Sequence, residues 1–155
     1  MKDNPECGFT VIEILIVIAV IGMLAGVAIP TYSQLLPKYR LNGAARHVMS
    51  DLLTARRRAL SQHHTVQVMF TAAQAYTVWT DSNDNGDVDS DETQTSHLQA
   101  YGVTLTANNN PIFYPRGLVT NLPTIVLRHT NQAMHLKKCM SISIAGRIKY
   151  TDCKE

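Results

Sequence analysis

Between Phe9 and Ile29 the chain carries a single charged residue, Glu13, among Ile, Val, Leu, Ala, Gly, Met, Phe and Thr. As a helix these 21 residues extend roughly 31 Å, against about 30 Å for the hydrocarbon core of a bilayer. A chain that keeps such a segment must place it in lipid or cover it with other chains. A secretory signal would be cut behind small residues, and Ala25, Gly26 and Ala28 stand where such a cut falls. Elsewhere the composition is ordinary. With 155 residues, 45% hydrophobic and 17% charged, the chain suits one domain rather than a disordered polymer.

Beyond Pro30 the pattern becomes amphipathic. Leu41, Ala45, Val48, Leu52, Ala55 and Ala59 repeat at alternating intervals of four and three, which puts them in one stripe on a helix. The spacing predicts a helix from residue 9 to about residue 62, whose second part packs under a head formed by residues 63–155. Pro30, Pro37 and Gly43 weaken helices, so a bend or local melting is expected between residues 22 and 43. After His64 the pattern turns to strands, expected at 66–71, 75–80, 97–106, 112–114, 124–128, 139–144 and 147–151. Ala145-Gly146 and Asn108-Asn109-Asn110-Pro111 mark turns. The fold class expected is α+β, a long helix on a small, mostly antiparallel sheet.

The segment Gly8-Phe9-Thr10-Val11-Ile12-Glu13, behind a short polar leader and ahead of the apolar run and Pro30, resembles the processing motif of type IV prepilins and type II secretion pseudopilins. The resemblance implies that a prepilin peptidase cuts between Gly8 and Phe9, discarding residues 1–8, and methylates the new Phe9 amine. The helix then stays, with residues 9–29 in the inner membrane, residues 30–62 amphipathic and the head in the periplasm. A carboxylate at the start of a membrane helix is expensive to bury, although the helix N-terminus favours it electrostatically. By the resemblance Glu13 pairs with the Phe9 amine of a neighbouring subunit, setting register as subunits enter a filament. The head is similar to the GspH/FimT family of minor pilins and pseudopilins in Phe113-Tyr114-Pro115-Arg116-Gly117, Thr124-Ile125-Val126-Leu127-Arg128 and Ser143-Ile144-Ala145-Gly146-Arg147. That resemblance implies a minor pilin-like subunit that helps to initiate or cap a pilus, partnered by other pilins, with capture of double-stranded DNA as a further task. The alternative it leaves is a type II secretion pseudopilin acting in protein export.

Cleavage at Gly8 removes Cys7 and leaves Cys139 and Cys153. An even pair in an exported domain favours a disulfide, with two free thiols the alternative. Charge is segregated. Residues 81–92 sum to −6 with no Lys or Arg, whereas from Ile112 onward seven basic residues oppose two acidic ones. The acidic segment, Asp81-Ser82-Asn83-Asp84-Asn85-Gly86-Asp87-Val88-Asp89-Ser90-Asp91-Glu92, fits a twelve-residue calcium loop at every constrained position. Its ligands are expected to be Asp81, Asn83, Asn85, the Asp87 carbonyl, Asp89 and a bidentate Glu92, with Gly86 making the turn. Strand-like residues precede it, so a solvated acidic loop is the competing reading.

In the DNA-binding branch of the resembling family the last turn carries Gly-Arg-x-Arg, and this chain has Gly146-Arg147-Ile148-Lys149. Arg147, Lys149 and Lys154 are therefore DNA-contact candidates, with an ordinary solvated basic strand as the alternative. Lys neutralises phosphate but lacks the planar fork of Arg. Arg56-Arg57-Arg58 fans over about 200° of a helix and is read as solvated or paired between subunits. His63-His64 is read as surface or structural, with no acidic partner nearby. Phosphate-binding loops, nucleophile elbows and zinc helix motifs are lacking, and no enzymatic activity is expected.

Overall fold

The computed structural model describes residues 9–131, 135–151 and 153. Gly8 and the rest of the expected leader, together with Lys154, lie outside the described residues. Helix α1 is Val11–Gln62, and the chain divides into two compact units, one ending at Leu36 and the other Pro37–Glu155.

In the first unit the helix is long and apolar enough to cross a membrane by length and composition. Its large side chains are exposed, Phe9 by 80% and Met23 by 75%. The melting expected between residues 22 and 43 is not observed, because that stretch is helical throughout. A proline removes only one intrahelical hydrogen bond, and hydroxyls beside Pro30 add others. Thr31 Oγ1 donates to the Val27 carbonyl at 3.0 Å, and Ser33 Oγ donates to the Pro30 carbonyl at 2.8 Å.

In the second unit the amphipathic part of α1 buries Leu41, Ala44, Ala45, Val48, Leu52, Ala55 and Ala59. Four of these are alanines, which let strands approach the helix axis closely. Gly43 serves a similar end. A Cβ there would lie 3.1 Å from the Tyr101 ring, so its absence makes room for that ring.

Among the described residues nine strands follow: β1 (Thr65–Ala72), β2 (Ala75–Asp81), β3 (Thr93–His97), β4 (Val103–Ala107), β5 (Ile112–Phe113), β6 (Val119–Thr120), β7 (Thr124–His129), β8 (Lys137–Ile142) and β9 (Ile148–Thr151). They form two sheets, ordered β3-β2-β1-β5-β6 and β4-β7-β8-β9, and every pairing is antiparallel. Alternation selects the inward residues, as in β7, where Ile125 and Leu127 are buried and Thr124 and Arg128 exposed. Val66, Val68, Tyr76 and Phe113 from one sheet and Val103, Leu105, Ile125, Leu127 and Met140 from the other join the helix stripe in one core. Each such side chain contributes roughly 1.5–3 kcal/mol of burial free energy.

Of the strand expected over residues 97–106, only 103–106 are observed as strand β4, and His97 is the last residue of β3 in the other sheet. β3 pairs with β2, then a 3-10 turn (Gln99–Tyr101) and left-handed Gly102 (φ 59) redirect the chain into β4. The asparagine turn also does more than reverse the chain. Asn108 Oδ1 accepts the Thr124 N–H at 2.7 Å, and Asn110 Oδ1 accepts the Phe70 N–H at 3.0 Å. One short loop thereby satisfies backbone donors on strands of both sheets. A disulfide joins Cys139 of β8 to Cys153, with Cα atoms 5.3 Å apart and a sequence separation of 14. Closing a loop of that size is worth about 3 kcal/mol in the chain-entropy model, and here it fastens the last strand to the sheet.

Candidate functional site

Three groups of side chains bear on function: the start of α1, the β8–β9 hairpin, and the loop between β2 and β3. At the start of α1, Thr10 precedes the first helical residue, and its Oγ1 accepts the Glu13 N–H at 3.3 Å. Glu13 N–H also lies 3.1 Å from the Thr10 carbonyl. Thr10 therefore acts as an N-cap, satisfying a donor that the helix cannot. The spacing Thr10-x-x-Glu13 is a capping-box signature, a signal that the sequence reading passed over. The Glu13 side chain is exposed, and no ion pair forms to it among the described residues.

In the hairpin, Ser143 and Gly146 close a turn through a Gly146 N–H bond to the Ser143 carbonyl at 2.8 Å. Gly146 has φ +70, a left-handed conformation that favours glycine. A Cβ there would also lie 2.7 Å from Arg56 Nε. Arg56, on α1, donates from Nη2 to the Ala145 carbonyl at 3.0 Å, and its Nε is buried without a partner. The expectation that this arginine is solvated or paired between subunits is thus replaced by an intramolecular role, in which it supports the turn from beneath. Arg58 reaches Gln94 Oε1 at 3.3 Å. The Val119 N–H of β6 donates to the Ile144 carbonyl at 2.8 Å, tying the same turn to the other sheet.

Arg147 lies just before β9 rather than in it, and Lys149 pairs with Ser141. Both are exposed, on either side of buried Ile148. Neither has an ion-pair partner among the described residues. Lys138 of β8 sits 4.7 Å from the centre of the Tyr150 ring of β9, a cation–π contact within the same hairpin. The hairpin thus presents two unneutralised cations on a turn held by α1 and β6.

In the β2–β3 loop, Asp81 is buried at 7% exposure, and its Oδ2 accepts the Gly86 N–H at 3.2 Å. Asn83 Oδ1 accepts the Asn85 N–H at 3.0 Å, and Asn85 Oδ1 accepts the Asp87 N–H at 2.8 Å. Asp89 Oδ2 accepts from the Asn83 and Asn85 side-chain amides at 3.1 and 3.4 Å. Glu92 is turned to the base of the loop. Its Oε1 accepts the Ser82 and Asn83 N–H groups at 2.8 and 3.2 Å, and its Oε2 accepts the Trp79 indole N–H at 3.2 Å. A bidentate cation contact would compete with those three bonds. His64 also has an acidic partner, contrary to expectation, since its Nδ1 lies 3.3 Å from Asp84 Oδ1. Sequence distance hid the pair, because β1 and β2 bring the two ends of that stretch together.

A further polar cluster joins α1 to β2 and β3. Tyr76 donates its hydroxyl to Asp51 Oδ2 at 2.7 Å, and Ser96 Oγ donates to the same oxygen at 2.9 Å. The Tyr76 hydroxyl also lies 3.1 Å from His47 Nδ1. Burial, reinforced by the Asp51 carboxylate, pushes the Tyr76 hydroxyl pKa up, so it remains a donor across the physiological range.

Residues 44–146 match the family described as type II transport protein GspH, and residues 3–29 match the prokaryotic N-terminal methylation motif. The fimbrial protein EcpC of Eikenella corrodens is 39% identical over 57 residues, 33% of this chain and 37% of that protein. Fimbrial protein Q of Moraxella bovis is 51% identical over 35 residues, 23% of this chain and 22% of that protein. The chain thus spans about a third or less of the length of these fimbrial relatives. In fold it is similar to the type IV minor pilin FimU of Pseudomonas aeruginosa, with a TM-score of 0.60 and 18% identity over 74% of this chain and 90% of that one. It is equally similar to the minor pseudopilin EpsH from the type 2 secretion system of Vibrio cholerae, with a TM-score of 0.59 and 15% identity over 72% of this chain and 96% of that one.

Proposed function

Since the chain belongs to the GspH family, whose model covers most of its head, we propose that it is a minor subunit of a type IV pilus and that its basic hairpin holds double-stranded DNA. The observation that carries the first part is the exposed, largely apolar surface of residues 9–29, in which Glu13 is the one charged residue. A contiguous apolar surface of that extent is not left in water. It is covered by lipid before assembly and by the helices of neighbouring subunits afterwards. Prepilin peptidase supplies the mature end at Phe9, and the Glu13 carboxylate meets the Phe9 amine of the next subunit. Each charge then compensates the other in a medium where either alone is costly. The minor role, at the start or tip of the filament, is supported by the likeness of the head to proteins named minor pilin and minor pseudopilin.

DNA contact is supported by the exposure of Arg147 and Lys149 on a turn supported by Arg56. Two cations on a hairpin reach phosphates, not base edges, so binding is expected to be weak, independent of sequence and dependent on salt. With two to three phosphates neutralised, the logarithmic salt slope is about −2 to −3, a loss of roughly tenfold to fortyfold between 50 and 200 mM salt. Several heads on one filament raise the avidity. The test is titration of DNA with the full chain in detergent beside Arg147→Gln/Lys149→Gln, with DNA uptake by cells carrying each form. The double variant is expected to lose most binding and uptake; equal behaviour of the two forms leaves the hairpin a solvated strand.

The second reading is a pseudopilin acting in protein export, favoured by the likeness to EpsH. Deleting the gene separates the two, since one reading loses surface pili and the other loses secreted protein.

A further inference from the structure

Within the described residues Asp81 is the only charged side chain that is buried. Its Oδ1 is sealed from solvent and has no hydrogen-bond partner. A carboxylate oxygen in that condition is costly, because it has given up water and received nothing in return. Its position shows what it lacks. Asp81 ends β2, and its other oxygen is fixed by the Gly86 N–H at the tip of the following turn, so the carboxylate is aimed into the 81–92 loop. In the same loop the side chains of Asn83, Asn85 and Asp89 are held to one another and to the backbone by short local bonds. The loop carries six acidic side chains and no Lys or Arg, and among the described residues the ion-pair geometry it makes is the contact of Asp84 Oδ1 with His64 Nδ1 at 3.3 Å.

We infer that this loop is a calcium site in which Asp81 Oδ1 is the anchoring ligand. Asn83 Oδ1 and Asn85 Oδ1 each accept one backbone N–H and keep a second lone pair for a cation. Asp89 and the Asp87 carbonyl, at the ninth and seventh positions of the loop, supply two further oxygens. No three His, Cys, Asp or Glu side chains are gathered as a metal group among the described residues. The two carboxylates of Asp81 and Asp89 would need these amide and carbonyl oxygens to complete a shell, and an all-oxygen set is a hard one that suits calcium and not zinc or copper. Calcium accepts six to eight such ligands in flexible geometry, while magnesium demands a near-ideal octahedron and dehydrates reluctantly. Glu92 holds the two ends of the loop together through Ser82, Asn83 and Trp79. The cation enters a loop already closed at its base. This site is independent of the filament and DNA readings and concerns the stability of the β2–β3 connection.

Trp79 is the sole tryptophan of the chain and is bonded to Glu92, so the protein carries its own reporter. The full chain, stripped of metal in detergent, is titrated with terbium while Trp79 is excited. Sensitised emission is expected, displaced by calcium in the low millimolar range typical of extracellular modules and at least tenfold less readily by magnesium. Ten millimolar calcium is expected to raise the melting temperature by about 5–10 °C. Asp81→Asn keeps an acceptor for the Gly86 N–H, and Asp89→Asn alters a side chain that is partly exposed; each is expected to weaken terbium and calcium binding tenfold or more. Should Asp81→Asn fail to fold, Asp89→Asn decides alone. Absent emission, a melting curve that responds equally to calcium and magnesium, or variants that bind as the parent does would each overturn the assignment.

Discussion

Glu13→Gln is expected to leave the protein folded and in the membrane but missing from sheared filaments. The substitution keeps the length of the side chain, and it leaves the Glu13 backbone N–H that Thr10 caps untouched. Helix formation and the core of the head, whose buried residues begin at Leu41, are therefore unaffected. What it removes is a charge. When one partner of a buried ion pair is lost, the other is left uncompensated at a cost of about 3–5 kcal/mol, a factor of roughly a hundred to a few thousand in an association constant. Quantitative blotting of membrane and filament fractions reads the difference. Equal recovery of Glu13→Gln and parent in filaments would remove the ion pair from the account and leave Glu13 as an interfacial residue favoured by the helix N-terminus.

Leu52→Ala is expected to be among the most destabilising single changes in the head. Leu52 is 1% exposed in the stripe where α1 meets both sheets. Truncating a buried leucine costs about 2–5 kcal/mol, because transfer free energy is lost and a cavity remains. For a domain of this size that lowers the melting temperature by about 10 °C or more. Its alanine neighbours, Ala55 and Ala59, are equally buried, and the backbone between them is too regular to collapse into the space. Leu118→Ala, at a side chain 52% exposed, serves as the control and is expected to change stability by no more than about 0.5 kcal/mol. A Leu52 variant that melts with the control would mean that the helix is not part of the cooperative core.

The elements that sequence reading located are those with a periodic apolar signal. The stripe from Leu41 to Ala59 is buried as expected, and β1, β2, β7, β8 and β9 lie within a few residues of their expected places. β3 was missed because Thr93-Gln94-Thr95-Ser96-His97 has no apolar residue to alternate. It is an edge strand recognised only by its pairing with β2. β6 spans two residues, too short for any pattern. The partners of Arg56 and His64 were hidden for another reason. Arg56 lies 89 residues from Ala145 along the chain, and only the packing of α1 against the hairpin brings them together. At the acidic loop the donor types and Gly86 were plain in the sequence. The burial of Asp81 was not, since an aspartate after a strand reads as solvated until the sheet closes over it.

The central claim is that residues 9–29 are kept and not discarded, which intact-mass spectrometry of the protein purified from membranes tests most directly. The account predicts a chain that begins at Phe9, lacking Cys7, carrying one added methyl group on the Phe9 amine and two fewer hydrogens for the Cys139–Cys153 bond. A mature chain beginning after Ala28 would contradict it, because the apolar helix, Glu13 and the filament built on them would all have been cut away.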